Sequence, residues 1–170
     1  NRTKNYKSVF VEVSLYDAAL STLKNQACNR LMNNHIPHAL GSLHPNIAPY
    51  GEIFITKDNK QIVLAIGSNT QFQHMLEILG ADKILSNNDY LTNQLRVKNR
   101  TLLHLDLTPY FKQFKSKELM ELFIDKNVPA GAIKNIKEVF AEKEAQNLVN
   151  EEVIENINTK RIKTSVFKIS

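Results

Sequence analysis

Two prolines just before a strand-like run limit most strongly how this chain can fold. Pro45 and Pro49 each fix their own φ and restrict the preceding residue to extended backbone. We therefore predict an irregular but stiff segment from His38 to Pro49. The run "YGEIFITKDNKQIVLAIG" follows at once, so whatever holds this segment must lie close to the first strand.

Two strand-like runs around the turn-rich tetrapeptide "KDNK" predict a β-hairpin. The second run, 62–66, is almost wholly apolar, which is typical of an inner strand. The next segment has an Asn/Thr cap and Gly80 as a stop signal, and so predicts a helix. One face of that helix carries its apolar residues, Phe72, Met75, Leu76 and Leu79.

The N-terminal part predicts a strand over 8–13 and one long helix over 15–32. Ser14 and Asp17 have the spacing of a helix cap, in which the hydroxyl accepts early backbone N–H groups. Cys28 lies on the apolar face of this helix, where a buried, inert thiol is expected. A single cysteine also excludes an internal disulfide and a cysteine-based zinc site.

Periodicity predicts the later elements as a helix over 92–108, a helix over 116–128, a strand over 129–133, a helix over 135–149 and an edge strand over 159–170. Pro109 should end or restart the first of these helices. The order of elements indicates the α+β class. The part from 48 to 149 can close its own core, whereas the first strand and helix and the final strand each need a partner sheet that the sequence does not supply.

A net charge of +5 and a pI of about 9.3 suggest a nucleic-acid partner. The basic residues are scattered, however, and aromatic residues do not interleave with them as in a stacking platform. We therefore expect no nucleic-acid partner, and a basic, non-catalytic binding module remains the alternative to an enzyme. No apolar run is long enough for a membrane span or a signal peptide, which predicts a soluble cytoplasmic chain with no membrane partner.

Motifs for catalysis are absent from the sequence. His35 and His38 have the spacing of a metal pair, but no third ligand follows, so no metal site is predicted. Gly67 and Ser68 lack the flanks of a phosphate-binding loop. His74 is expected at the surface. No nucleophile has its usual sequence context, and we predict no catalytic residue in this chain.

Several separated blocks, in order over nearly the whole chain, resemble the family III CoA-transferases, which include formyl-CoA transferase, carnitine CoA-transferase and the 2-methylacyl-CoA racemases. The blocks are "VEVSLYDAAL", "HALGSLHPNIAPYG", "IFITKDNKQIVLAIGSNTQF", "LTNQLRVKNR" and "NVPAGAIKNIKEVF". A single block would be a weak match, but the ordered set is specific.

The resemblance implies that the chain is the C-terminal part of such an enzyme. Residues 1–32 would end a large-domain segment, 33–47 would link the domains, 48–149 would form the small α/β domain, and 150–170 would return toward the large domain. The catalytic aspartate of the family lies upstream of these blocks. The chain alone is therefore expected to be inactive, and Asp17 is a helix cap and not the nucleophile.

The activity implied by the resemblance is transfer of CoA between carboxylic acids through aspartyl-anhydride and aspartyl-CoA thioester intermediates. Acyl-CoA and carboxylic acids would be the substrates, and no cofactor is expected. Tyr50 and the backbone around Gly67 and Ser68 would face the acyl group. The family forms interlocked homodimers, and the same assembly is implied for the full-length protein.

One difference selects a branch of the family. Racemase members carry a glutamate that moves the α-proton in the segment matching Asn69 and Thr70, and neither of these side chains is a carboxylate base. A transferase is therefore favoured, with a 2-methylacyl-CoA racemase-like member and a non-catalytic homologue as alternatives. The segment also lacks the glycine-rich flap of formyl-CoA transferases, which argues against oxalate and formate as substrates.

Overall fold

The computed structural model describes residues 10–164. The chain divides into two compact units between Gly41 and Ser42. The four domain boundaries inferred from the family resemblance stay a prediction. Within the described range, no helix has both the length and the apolar character needed to cross a membrane.

The first unit contains two consecutive helices, α1 (Leu15–Thr22) and α2 (Lys24–Asn33). The predicted cap is confirmed, because Ser14 Oγ accepts the Asp17 N–H at 3.3 Å. The prediction of one long helix is wrong. The helix is interrupted at Lys24, whose φ of +37° is incompatible with a continuous right-handed helix.

The predicted strand and the predicted buried cysteine of this unit are also wrong. Residues 10–13 form no strand, since a strand needs a neighbour for its backbone groups and none pairs with them in the described chain. Positions 8 and 9 lie outside the described residues. Cys28 is exposed, and neither helix buries any residue. Large apolar side chains of this unit are therefore exposed, at Phe10, Val11, Val13, Leu15, Tyr16, Leu31, Met32 and Ile36.

The second unit combines short helices with two small antiparallel sheets, which confirms the α+β class. Its strands are β1 (Tyr50–Ile55), β2 (Gln61–Ala65), β3 (Ala130–Ile133), β4 (Val149–Ile154) and β5 (Ile157–Ile162). Its helices are α3 (Asn69–Leu79), α4 (Asp82–Leu85), α5 (Asn93–Lys98), α6 (Arg100–Phe111), α7 (Ser116–Asp125), α8 (Ile136–Phe140) and α9 (Lys143–Gln146), with a short 3-10 helix at Asn88–Tyr90.

The first sheet contains β1, β2 and β3, with β2 in the middle. The predicted hairpin, inner strand and returning strand are thus confirmed. Both pairings are antiparallel, with Phe54 opposite Ile62 and Val63 opposite Gly131. Alternate residues of β2 point to the same face, and Ile62 and Leu64 bury that face against the helices.

The hydrophobic core lies between this sheet and the helices α3, α6 and α7. All four predicted apolar residues of α3 are buried, and the helix ends at Gly80 as predicted. Phe54 of β1 stacks on Phe111 of α6 with ring centroids 4.1 Å apart, and Phe111 meets the edge of Phe123 of α7. Each such buried side chain contributes roughly 1.5–3 kcal/mol, so these contacts fix the helices on the sheet.

Two predicted helices have different boundaries in the structure. Pro109 lies inside α6, so the break predicted there is wrong. Its ring removes one N–H close to the helix end, while the fully buried Leu107 and Phe111 on either side keep this turn in place. The helical segment is interrupted instead at Asn99, between α5 and α6. The predicted helix over 135–149 is likewise divided into α8 and α9.

The C-terminal tail has a partner within the chain, so the prediction of an unpartnered edge strand is wrong. β5 pairs antiparallel with β4, from Val149 opposite Ile162 to the connecting turn. The turn residues Glu155 and Asn156 both have positive φ, as a type I′ hairpin turn requires. Residues 165–170 of the predicted strand lie outside the described range.

One carboxylate connects the β1–β2 turn to the start of α7. Asp58 Oδ1 accepts hydrogen bonds from the Thr56 hydroxyl at 2.6 Å and from the Ser116 backbone N–H at 2.9 Å. The N-cap residue of α7 makes no side-chain cap of its own, so Asp58 takes that role. The Thr56 hydroxyl, followed by the Ser116 N–H, holds the pKa of Asp58 below its usual value.

We predict that Asp58→Asn lowers the free energy of unfolding at neutral pH. Since the folded-state pKa of Asp58 is depressed, the stability from its charge is present above 3.8 and is lost as the pH falls below that value. The difference between wild type and variant should therefore shrink on acidification, as measured by urea denaturation across a pH series. Asp125→Asn, at the exposed opposite end of the same helix, is the control. A pH-independent difference for Asp58→Asn would contradict the assignment.

Candidate functional site

The segment 42–52, which we call the corner segment, folds back on the start of β1. Ser42 Oγ donates to the Gly51 carbonyl at 2.6 Å, and the His44 N–H donates to the Tyr50 carbonyl at 2.9 Å. The His44 ring meets the edge of the Tyr50 ring, with centroids 5.3 Å apart. The irregular segment predicted from the two prolines is confirmed, and its own hydrogen bonds close it into a compact loop.

Gly51 is the tightest point of the corner segment. Its φ is +85°, and a Cβ at this position would lie 1.8 Å from the Ser42 carbonyl oxygen. The register of β1 against β2 shifts between Tyr50 and Ile53. A glycine with positive φ at such a shift is the usual first residue of a β-bulge. The next residue, Glu52, is buried, with 3% of its surface exposed.

Side chains of helix α5 form hydrogen bonds with backbone groups of the corner segment. Asn93 accepts the Ala48 N–H at 3.1 Å and donates to the Asn46 carbonyl at 2.8 Å. Arg96 Nε donates to the Ala48 carbonyl at 2.8 Å. An irregular segment cannot satisfy all of its own N–H and C=O groups, so side-chain partners of this kind decide its conformation.

Arg96 is buried, with 2% of its surface exposed, and forms no ion pair with a carboxylate of the described residues. Nη1 donates to the Tyr90 carbonyl at 3.0 Å and Nη2 donates to Asn69 Oδ1 at 2.8 Å. Its guanidinium carbon lies 4.4 Å from the centre of the Phe72 ring. Burial lowers the pKa of Arg96, but a guanidinium stays protonated in proteins. Carbonyl dipoles and an aromatic face therefore stabilise its charge.

Helix α6 adds a second arginine to the corner segment. Arg100 Nη2 donates to the carbonyls of His44 and Ile47, both at 2.6 Å, and Nε lies 3.2 Å from Glu52 Oε1. Burial raises the pKa of Glu52, and the nearby Arg100 charge opposes this rise. A cleft of about 310 Å³ lies beside the pair and is also lined by His104.

The residues predicted to face an acyl group lie at one end of the first sheet. Tyr50 begins β1 and pairs with Ala65, the last residue of β2, and Gly67 and Ser68 follow shortly after. All three predicted residues are exposed. The strand topology therefore brings Tyr50 and the Gly67–Ser68 loop to the same sheet end, while their contact with an acyl group stays a prediction.

Ser68, and not the predicted Asn69 or Thr70, caps α3. Ser68 Oγ accepts the Gln71 N–H at 3.2 Å, and Gln71 Oε1 accepts the N–H groups of Gly67 at 3.0 Å and Ser68 at 3.2 Å. This reciprocal arrangement is a capping box. A Cβ on Gly67 would meet nothing nearer than Gln71 Oε1 at 4.0 Å. The fold itself therefore does not require a glycine at 67, and the space beside it is open to a ligand group.

The histidines do not assemble into a metal centre. The rings of His35 and His38 have centroids 6.3 Å apart. Among residues 10–164, no group of three or more His, Cys, Asp or Glu side chains could hold a metal ion. His74 is half-buried rather than fully exposed, with Nδ1 3.1 Å from the Lys126 carbonyl.

Sequence reasoning does not identify the side chains that hold the corner segment. Asn93, Arg96 and Arg100 all fall in the block "LTNQLRVKNR", and their spacing of three and four residues indicates a shared helical face. That spacing is a usable signal for a common partner. Their burial is not visible in the sequence, because arginine is mostly exposed in proteins. The burial of Glu52, which follows Gly51 at the register shift, is likewise not visible in the sequence.

Comparison with known proteins gives a consistent result. The sequence model of CoA-transferase family III matches residues 1–169. The chain is 35% identical over 139 residues to the succinyl-CoA:glutarate CoA-transferase of Homo sapiens, and 32% identical over 136 residues to the succinate–glutarate CoA-transferase of Agrobacterium fabrum. It is 28% identical to the crystal structure of a CaiB/BaiF family protein from Brucella suis, with a TM-score of 0.69.

These matches cover part of each relative. The alignments include 82% and 80% of this chain but 31% and 34% of the human and Agrobacterium proteins, so the chain spans about a third of their length. The Brucella structure is matched over 98% of this chain and 43% of that protein.

We predict that Gly51→Ala destabilises the second unit strongly, because its new Cβ overlaps a backbone oxygen. The expected loss is more than about 3 kcal/mol in the free energy of unfolding, measured by urea denaturation. Gly80→Ala is the matched control, since Gly80 also has positive φ but its Cβ would meet nothing within 4 Å. That variant should lose about 1 kcal/mol. Equal losses in the two variants would show that the contact with Ser42 does not matter.

Proposed function

Because this chain belongs to CoA-transferase family III, we propose that the protein of which it forms part transfers CoA between carboxylic acids. The match over nearly the whole chain carries this proposal. It confirms the resemblance identified from the sequence blocks, and both curated relatives are named as CoA-transferases. In this proposal the chain covers the acyl group, while the reacting carboxylate belongs to another part of the protein.

The proposed reaction uses an aspartate outside this chain. Its carboxylate oxygen attacks the thioester carbonyl carbon of the donor acyl-CoA, which releases the CoA thiolate and forms a mixed anhydride. The thiolate then attacks the aspartyl carbonyl, releasing the donor acid as a carboxylate and leaving an aspartyl-CoA thioester. The acceptor carboxylate attacks this thioester to give a second anhydride and the thiolate. The thiolate finally takes the new acyl group and frees the aspartate, so no net proton or electron is transferred.

The chain contributes a rigid wall beside the acyl group. At the sheet end, Tyr50 is 36% exposed, and open space lies next to Gly67, which Ser68 follows. Anhydrides and thioesters react with water, so a wall that keeps its shape and excludes water favours transfer over hydrolysis. The hydrogen bonds from Asn93 and Arg96 to the corner segment support that rigidity.

The substrates and assembly follow from the family and its named members. Succinate and glutarate, which occur in the names of two relatives, are the first acids to test. The full-length protein would act as an interlocked homodimer in the cytoplasm. It would require no cofactor beyond its CoA thioester substrate, and no nucleic-acid or membrane partner.

The proposal is tested with the full-length protein. Incubated with succinyl-CoA and glutarate, it should form glutaryl-CoA, and mass spectrometry should detect a CoA adduct on an aspartate outside this chain. The isolated chain should transfer nothing. A folded full-length protein that transfers CoA to no acid in a dicarboxylate panel would contradict the proposal. Exchange of the α-proton of an acyl-CoA in heavy water, without transfer, would instead support the racemase-like alternative.

We predict that Gly67→Ala impairs the full-length enzyme without affecting folding. The added methyl group enters the space assigned to the acyl group, so kcat/KM should fall roughly tenfold or more. The free energy of unfolding should change by less than about 0.5 kcal/mol, because the site is open. Gly131→Ala is the matched control, since its Cβ would lie at an ordinary 3.8 Å from Val63 Cγ1, within β3. Unchanged kinetics in Gly67→Ala would remove Gly67 from the proposed wall.

A further inference from the structure

Three buried polar atoms without hydrogen-bond partners lie together beside the corner segment. They are both carboxylate oxygens of Glu52 and Nε of Arg100. The Glu52 side chain is 4% exposed and the Arg100 side chain 15% exposed, and Oε1 lies 3.2 Å from Nε. A buried ion pair without aligned hydrogen bonds is a poor source of stability, so its presence calls for another explanation.

Arg100 connects this carboxylate to the corner segment. Its Nη2 holds the carbonyls of His44 and Ile47. The Arg100 head group has lost most of its water, and Glu52 supplies a negative charge 3.2 Å from its Nε. Without that charge, the guanidinium would gain hydration by turning into the adjoining cleft. Both carbonyls would then lose their donor.

The connection continues from His44 to Tyr50. The His44 N–H donates to the Tyr50 carbonyl, and the two rings are in edge contact. A change in the position of the Arg100 head group therefore moves the residue against which the Tyr50 ring packs. Glu52 is also joined to Tyr50 along the backbone, with only Gly51, whose φ is positive, between them. The contacts from Glu52 through Arg100 and His44 therefore return to Tyr50.

We propose that Glu52 is a positioning residue, which acts through Arg100 and His44 to fix the Tyr50 ring at the wall beside the acyl group. The significance of that ring for catalysis rests on the proposed function, whereas the contacts belong to the fold. Glu52 does not touch the substrate in this scheme, because both of its oxygens are buried.

The ionisation of Glu52 should control this positioning. Burial raises the pKa of Glu52, while the Arg100 charge and the nearby backbone N–H groups of Glu52 and Tyr50 lower it. The other titratable groups beside the pair are His104 in the cleft and His44 in the corner segment. Glu52→Gln removes the Glu52 carboxyl and leaves both histidines in place, so a pH effect that comes from Glu52 can be separated from one that comes from a histidine.

The first experiment follows the Tyr50 ring by fluorine NMR in the 170-residue chain labelled with fluorotyrosine, with the signal assigned through Tyr50→Phe. Glu52→Gln and Arg100→Lys should each shift the Tyr50 signal, and Glu52→Asp should shift it less. The Tyr90 signal should stay in place, since its hydroxyl has a separate partner in the fold. Acidification should shift the Tyr50 signal in the wild type through a step that is missing in Glu52→Gln.

The control variant is Glu121→Gln, which removes an exposed carboxylate of α7. Circular dichroism establishes that each variant is folded. A Tyr50 signal that is identical in the wild type and in folded Glu52→Gln would overturn the proposal. If Glu52→Gln does not fold, the same comparison with Arg100→Lys decides the question.

The second experiment measures kcat and KM in the full-length enzyme across a pH series. Glu52→Gln should lower kcat about tenfold to a hundredfold with little change in the KM for acyl-CoA, because the wall is displaced rather than removed. The contribution of Glu52 to the acid limb of the wild-type profile should be lost in Glu52→Gln and partly restored in Glu52→Asp, while the contribution of the reacting aspartate remains in all three proteins. Identical pH profiles in the wild type and Glu52→Gln would overturn the proposal. A wild-type enzyme that transfers no CoA would refute the proposed function, while the NMR comparison would still decide the role of Glu52.

Discussion

Two guanidinium groups, one buried and one half-buried, hold backbone carbonyls and give the corner segment its shape. Residues 42–49 of this segment form no helix or strand, so their carbonyls lack regular partners, and Arg96 and Arg100 supply donors to them. Dehydrating an arginine costs several kcal/mol, which the carbonyls, the Asn69 amide and the Phe72 ring offset at Arg96. The position of the sheet end depends on this interaction, because the corner segment leads directly into β1.

The elements that could be predicted from the sequence are those determined by nearby residues. The hairpin, the inner strand and the α3 helix with its Gly80 stop follow from alternation, helical spacing and glycine at a left-handed position. Distant contacts account for the failures. Pro109 is tolerated because Phe111, two residues later, is anchored in the core. The partner of β5 is not predicted, since two adjacent glutamates, Glu151 and Glu152, make β4 an unfavourable strand by composition.

In the candidate site, too, some residues could be predicted from the sequence, whereas others depend on distant contacts. Tyr50, Gly67 and Ser68 come from the family resemblance, and the strand topology brings them to one sheet end. The buried charges beside them could not be predicted, because neither Arg96 nor Glu52 belongs to a residue type that is normally buried. A β-bulge that shifts the register after one glycine also leaves no distinctive pattern in the sequence. Local motifs therefore locate the proposed wall, whereas the buried residues that support it are identified from the three-dimensional structure.

The Gln71 side chain limits which chemical groups could bind at the sheet end. The two amide protons of the Gly67–Ser68 loop are already occupied by an internal acceptor. An incoming carbonyl or carboxylate that binds these N–H groups must first displace Gln71, so its hydrogen bonds replace two existing ones worth roughly 1 kcal/mol each and add little affinity. An aliphatic chain that merely fills the space beside Gly67 meets no such competition. In the proposed wall, this loop would therefore favour the methylene chain of an acyl group, and the terminal carboxylate of a dicarboxylate would have to lie away from these N–H groups.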